Sequence, residues 1–203
     1  VVLDAESGHP TGTIQGVVSL GSANKAMSRL WAQLPEDDGQ ETSLEASLLQ
    51  ALGYGITTII APQTGIDELD TFVKARDKGL LKARVQTALF HPVGTQASEL
   101  SSFSMAAESL NDDQLRVSAI KLYIDDVIEA HTAAMLEPYS DQEEESGETF
   151  YSPESFNALV TRLDAAGQQL FIHAIGDRGV RVALDALEHA QNANGKRDSR
   201  HQL

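Results

Sequence analysis

In SPESFNALVTRLDAAGQQLFIHAIGDRGVRVALDALEHAQNANG, residues Ser152 to Gly195, a helix, a strand and a second helix follow one another with little linker between them. Ser152 is placed to cap the first helix. Pro153 suits its first turn, because the N–H it lacks has no partner there anyway. That helix runs to about Gly167. Gln169-Leu170-Phe171-Ile172-His173 then reads as a strand, and Arg178 to Ala193 as a helix with Gly195 just beyond its end.

The alternation continues on both sides. Ser43 to Leu52 has apolar residues at helical spacing, with Ser43 as a cap and Gly53 and Gly55 ending it. Ile56-Thr57-Thr58-Ile59-Ile60-Ala61 is a β-branched run stopped by Pro62, which predicts a buried strand. Ile66 to Lys78 reads as a helix closed by Gly79, and Ala83 to Phe90 as a strand with His91-Pro92 just past it. A helix in the polar stretch that follows leads to a strand over Val117 to Tyr123. Asp141 to Gly147 is an exposed acidic loop, Asp4 to Thr13 is turn-rich, and Arg200 to Leu203 opens a further strand. Strands alternating with helices predict a parallel α/β sheet. A doubly wound sheet and a closed barrel both satisfy this pattern. No Gly-x-Gly-x-x-Gly follows a strand and no phosphate-binding Gly-x4-Gly-Lys-Ser/Thr loop occurs, so neither nucleotide-binding device is supported.

Composition narrows the classes. The 203 residues are 41% hydrophobic and 22% charged, an ordinary globular mixture. Thirty acidic against 15 basic residues give a net charge of -15, which disfavours nucleic acid and anionic membranes as partners. No apolar run approaches the roughly 18 residues that a membrane span needs. There is no cysteine, which excludes disulfides, zinc–thiolate sites and a cysteine nucleophile. Cysteine usage does not separate a cytoplasmic from an exported location. Val1 follows no initiator Met or signal pattern, so either processing removed something or the chain is a piece of a longer protein.

Polar residues able to bind metal gather at the C-terminal ends of the expected strands, where parallel α/β enzymes place their active sites. His173 ends one strand, and Asp177 lies four residues on. On spacing alone His173 is either a buried imidazole satisfied by a backbone carbonyl or a metal ligand with an orienting carboxylate. Lys121 is either a strand lysine snorkelling to the surface or a functional group. Asp125 and Asp126 suit a turn or a helix cap. His91 suits a loop, His9 a turn and His189 an exposed helix face.

Phe171 to Val180 is similar to the His-Ala-Ile-Gly-Asp-Arg-Ala motif of the YtcJ-like metal-dependent amidohydrolases, a group that includes N-substituted formamide deformylases. Asp4 to Gly12 resembles the family's Asp-x-x-Gly-x-Pro-Thr-Gly, Gly55-Ile56-Thr57-Thr58 its Gly-Ile-Thr-Thr, and Lys121 to Asp126 its Lys-Leu-Phe-x-Asp-Gly. Thr132 to Tyr139 resembles Thr-Ala-x-Leu-x-x-Pro-Tyr, and Arg200 to Leu203 the opening of Arg-His-x-Ile-Glu-His. Asp126 stands where the family has Gly.

The resemblance implies a partial (β/α)8 TIM barrel with parallel strands, residues 1–203 being its central part. It implies a divalent metal, zinc by preference, and hydrolysis of an amide or formamide C–N bond in a small-molecule substrate. Lys121 matches the fourth-strand Lys, which in related enzymes can be carboxylated to bridge two metals. His173 matches the fifth-strand ligand, and Asp177 is placed to orient His173 or the adjoining loop. The family's His-x-His pair and eighth-strand Asp have no counterpart here, and its sixth-strand His falls past Leu203, so His201 is not its equivalent. The 203 residues alone are therefore expected to be inactive. Their unpaired strand edges invite association, which makes a homo-oligomer an expected form. Two other classes satisfy the residues: a non-catalytic α/β scaffold, and another metal-dependent barrel hydrolase of the phosphotriesterase kind.

Overall fold

The computed structural model describes residues 7, 39–95 and 100–203. Apart from Ser7, the turn-rich stretch from Asp4 to Thr13, with its motif and His9, lies outside the described residues. The elements are α1 (Gly39–Gly53), β1 (Thr58–Thr64), α2 (Ile66–Asp77), β2 (Arg84–Phe90), α3 (Leu100–Ser109), β3 (Leu115–Tyr123), α4 (Pro153–Ala165), β4 (Leu170–His173) and α5 (Asp177–Asn194). Ser152 caps α4 as expected, its hydroxyl accepting the Ser155 N–H at 3.2 Å, with Pro153 in the first turn.

The four strands are parallel and lie in the order β1-β2-β3-β4. One face carries the helices. Phe156, Leu159 and Leu163 of α4 and Ala183, Ala186 and Ala190 of α5 form one buried layer with Ile120, Leu122, Leu170 and Ile172. Leu48 of α1 and Ala75 of α2 pack with Val85 and Leu115 in a neighbouring layer. A doubly wound sheet would reverse its strand order and carry helices on both faces. Sequential order with helices on one face is the arrangement of a (β/α)8 barrel, here part of one. Beyond β4, where Arg200 to Leu203 was expected to open a strand, a single parallel bridge forms. Gln202 pairs in parallel with Phe171, exchanging bonds with Ile172 and Leu170 at 2.9 and 2.8 Å.

Two register shifts decide which side chains face inward. In β3, Thr87 pairs with Val117 but Ala88 pairs with Ala119, leaving Ser118 as an extra residue. Below this bulge Leu115 and Val117 face the helices; above it Ile120 and Leu122 do. Lys121 and Tyr123 are thereby turned to the opposite, inner face. In β1 the shift lies between Ala61 and Thr64, around Pro62. The expected strand over Ile56 to Ala61 is displaced: it begins at Thr58 and continues through Pro62 to Thr64. A bulge tolerates a residue without an N–H, so Pro62 interrupts the ladder without ending the strand.

Phe156 of α4 is 0% exposed and lies within the buried layer between the helices and the strands. Phe156→Ala is expected to destabilise the chain by about 3–5 kcal/mol, read as a lowered urea midpoint at unchanged slope.

Candidate active site at the C-terminal ends of the strands

The inner face carries two rows of side chains. Phe90, Lys121 and Phe171 stand in register across β2, β3 and β4. Tyr123 and His173 form the next row toward the strands' C-terminal ends. The Tyr123 ring stacks on the His173 imidazole, with centroids 4.6 Å apart and planes inclined by 26°. Phe90 meets Tyr123 edge-on at 5.8 Å. The Lys121 ammonium lies 4.6 Å from the centroid of Tyr123 and 4.8 Å from that of Phe171. The structure thus brings Lys121 and His173 to one face of adjacent strands.

Lys121 does not snorkel: it is 6% exposed. Loss of hydration pulls its pKa down from 10.5 to about 8. The Tyr123 and Phe171 rings beside it favour the ammonium form. Tyr123 moves the other way; burial first, then the Asp126 carboxylate, raise its hydroxyl above the ordinary value. That hydroxyl reaches Gln63 Oε1 of β1 at 2.5 Å, passing over β2.

His173 is held through its ring and its main chain. Its Nε2 lies 2.8 Å from the carbonyl oxygen of Asp126. A carbonyl only accepts, so Nε2 carries the proton and Nδ1 is left as the lone-pair nitrogen of the neutral ring. Ile124 N–H donates to the His173 carbonyl at 3.0 Å. A histidine that donates one ring N–H to a backbone carbonyl has the tautomer and orientation that a metal ligand uses.

Asp125 and Asp126 are both buried. Asp125 is neither a turn nor a cap residue; its carboxylate accepts three backbone N–H groups from distant loops. Asp126, at the position where the family pattern has Gly, does not adopt a positive φ. Asp177, the first residue of α5, uses Oδ1 to accept N–H bonds from Leu136 at 2.7 Å and from Arg178 at 2.8 Å. These contacts tie it to the loop after β3. Arg178 reaches the carbonyls of Ser146 and Gly147 in that same loop.

The other histidines lie elsewhere. His91 is buried just past β2, its backbone N–H donating to the Lys121 carbonyl at 2.9 Å. His189 is exposed on α5, with Nδ1 3.1 Å from the Thr161 hydroxyl. His201 is at the opposite end of β4 from His173. Its Nδ1 accepts the Leu170 N–H at 3.1 Å and its Nε2 donates to the buried Asp164 at 2.9 Å. Burial alone would raise Asp164; Asn194, His201 and Arg197 together more than offset this and hold it below the usual carboxylate range.

The donors fit part of a metal centre. Among the described residues no group of three or more His, Asp or Glu side chains is placed to hold an ion. His173 offers Nδ1, and Lys121 offers either its neutral amine nitrogen after losing a proton or, once carboxylated, the oxygens of the carbamate. A catalytic zinc site uses about three protein ligands and an open position. Sequence reasoning passed over Gln63 and the aromatic pair Phe90 and Phe171. Strand alternation could have pointed to Phe90 and Phe171, whereas Gln63 follows a proline and carries no signal.

A lysine whose folded pKa is depressed holds fewer protons than the unfolded chain between pH 8 and 10.5, so stability rises with pH across that window. Below pH 8 the cost of the buried charge is fully present, on the order of 3 kcal/mol. Lys121→Met is therefore expected to be more stable than the parent chain at pH 7, with the difference closing toward pH 10.5. Chemical unfolding at a series of pH values measures this; a difference independent of pH would contradict it.

The family model described as "Amidohydrolase family" matches residues 1–203. Over 213 aligned positions the chain is 29% identical to "Protein LONG AFTER FAR-RED 3" of Arabidopsis thaliana, covering all of this chain and 35% of that protein. It is 29% identical to "Putative amidohydrolase YtcJ" of Bacillus subtilis over 91 residues, 45% of this chain and 17% of that one. The chain therefore spans about a third or less of these relatives. Two solved structures, described as uncharacterized metal-dependent hydrolases, share the fold. One is from Pyrococcus furiosus, with a TM-score of 0.68 at 24% identity over 84% of this chain and 36% of that one. The other is from Pyrococcus horikoshii, with a TM-score of 0.64 at 20% identity over 92% and 36%. Parallel strands in sequence order, a lysine and a histidine facing inward at their C-terminal ends, and a family match along the whole length lead to one assignment: the chain belongs to the amidohydrolase family.

Proposed function

We propose that the chain is the central part of a (β/α)8-barrel domain whose complete protein hydrolyses C–N bonds of the amide or formamide type, with a divalent metal, zinc by preference. The observation that supports this reading is the placing of Lys121 and His173 on one inward face of adjacent strands, with His173 Nε2 committed to the Asp126 carbonyl. His173 Nδ1 and a deprotonated or carboxylated Lys121 would contribute to holding such an ion, which would supply Lewis-acid polarisation of a carbonyl and a lowered water pKa.

The chain's own residues prepare the surface for that chemistry. Asp126 fixes the His173 tautomer so that Nδ1 is the donor nitrogen. The low pKa of Lys121 supplies neutral amine at mildly alkaline pH, the form that carboxylation requires. Tyr123 and Phe171 lie against the Lys121 ammonium and help keep it from water, which strengthens charge interactions there. By the family pattern the remaining ligands and the general base, an eighth-strand Asp, come from outside the described residues.

The test is turnover by the complete protein, loaded with zinc, of N-formyl and N-acyl amines against phosphotriesters. C–N hydrolysis is expected, with His173→Ala lowering kcat/KM by more than about 100-fold, beyond the range of an outer-shell change. Phosphotriester turnover instead would place the protein among other barrel hydrolases. Turnover of neither substrate class would leave a scaffold. The 203 residues alone are expected to turn over nothing. Calorimetric titration should show weak zinc binding, and sub-micromolar affinity lost in His173→Ala would overturn that expectation.

A further inference from the structure

Asp125 lies two residues past the end of β3 and is 0% exposed. A buried carboxylate needs a donor for each oxygen, and here the donors come from two loops. Oδ2 accepts the N–H of Ala134 at 3.0 Å and of Gly176 at 2.7 Å, and Oδ1 accepts the N–H of Ile175 at 2.9 Å. Ile175 and Gly176 are the second and third residues after His173 and lead into α5, whose N-terminal end favours a negative charge. The fit leaves no slack. A methyl group at Gly179 would lie 2.4 Å from Asp125 Oδ2, and one at Gly176 would lie 2.0 Å from the Ala134 carbonyl oxygen.

The neighbours of Asp125 complete a grip on His173. Ile124 N–H holds its carbonyl, the Asp125 carboxylate holds the turn that follows it, and the Asp126 carbonyl holds its ring. We propose that Asp125 is a positioning residue for His173, fixing the turn after β4 so that the imidazole meets the Asp126 carbonyl and presents Nδ1 to the site. The proposal rests on His173 being the functional histidine assigned above. A carboxylate that merely stapled the two loops would affect stability and leave the His173 ring as it is.

The experiment is nitrogen NMR of the imidazoles in the 203-residue chain without metal or substrate, with His173→Gln identifying the His173 resonances. The parent chain should show a single Nε2–H tautomer at His173; a ring averaging between tautomers would overturn the proposal before any variant is made. Asp125→Asn can keep an acceptor on two of the three N–H groups at most, and its NH2 must face the third. It should collapse the separation between the two ring nitrogens toward the averaged value. Gly179→Ala, which crowds the carboxylate without removing it, should produce the same collapse and carries the test if Asp125→Asn does not fold. Phe156→Ala, with stability lost elsewhere, should leave the His173 signals unchanged. His173 signals unchanged in either folded variant, or moved equally by Phe156→Ala, would refute the positioning role. Because no turnover is measured, this result stands apart from the hydrolase assignment, which can fail with the tautomer still fixed.

Discussion

Helices α4 and α5 cover one face of β3 and β4 through Phe156, Leu159, Leu163, Ala183 and Ala186 on the helices and Ile120, Leu122, Leu170 and Ile172 on the strands. Apolar burial of this kind is non-directional and roughly proportional to area, so it needs the right residues on the right face rather than particular partners. Because it occupies alternate residues of β4 and of β3 beyond Ser118, the residues between are released from packing against the helices. Lys121, Tyr123, Phe171 and His173 are those residues. A second covered face would have demanded apolar side chains at these positions too, as in doubly wound sheets.

The polar framework works at the two ends of this layer. At the base, Asp164 binds His201, Arg197 and Asn194, and His201 in turn binds the first N–H of β4, which docks the next strand alongside. At the top, Asp125, Asp177 and Arg178 gather the long connection after β3 against the start of α5. The base set joins charged and polar side chains to one another and the top set joins charged side chains to backbone atoms, and in both each bond has a defined direction. Packing sets which face is inward; these bonds set how high and in what orientation each loop stands above it.

Much of the fold was legible because it depends on local signals. Ser152 and Pro153 open a helix where they should, Gly79 and Gly195 follow helices, and Gln202 makes a parallel bridge to Phe171 in the stretch expected to open a strand. What was not legible depends on distant parts of the chain. Asp125 reads as a turn residue because nothing near it in sequence reveals donors 9, 50 and 51 positions away. Pro62 reads as a strand terminator because the bulge that admits it is a property of the pairing with β2. Lys121 and His173 stood out through family likeness. Their placing on a common face depends on a register that no strand pattern could supply, since alternation carried through Ser118 assigns Lys121 to the same side as Leu115 and Val117.

That one unpaired serine acts as a phase shifter within a nine-residue strand. The two halves of β3 obey opposite parity rules, so a substitution scheme that paints odd and even positions uniformly along the strand will put charge into the helix layer in one half. Swapping β3 for the matching strand of a relative carries the same hazard, since a donor strand one residue shorter would match in composition and still invert the half that bears the lysine. For barrel engineering, the unit to transplant is therefore the pair of strands with its shift in register, and not the strand.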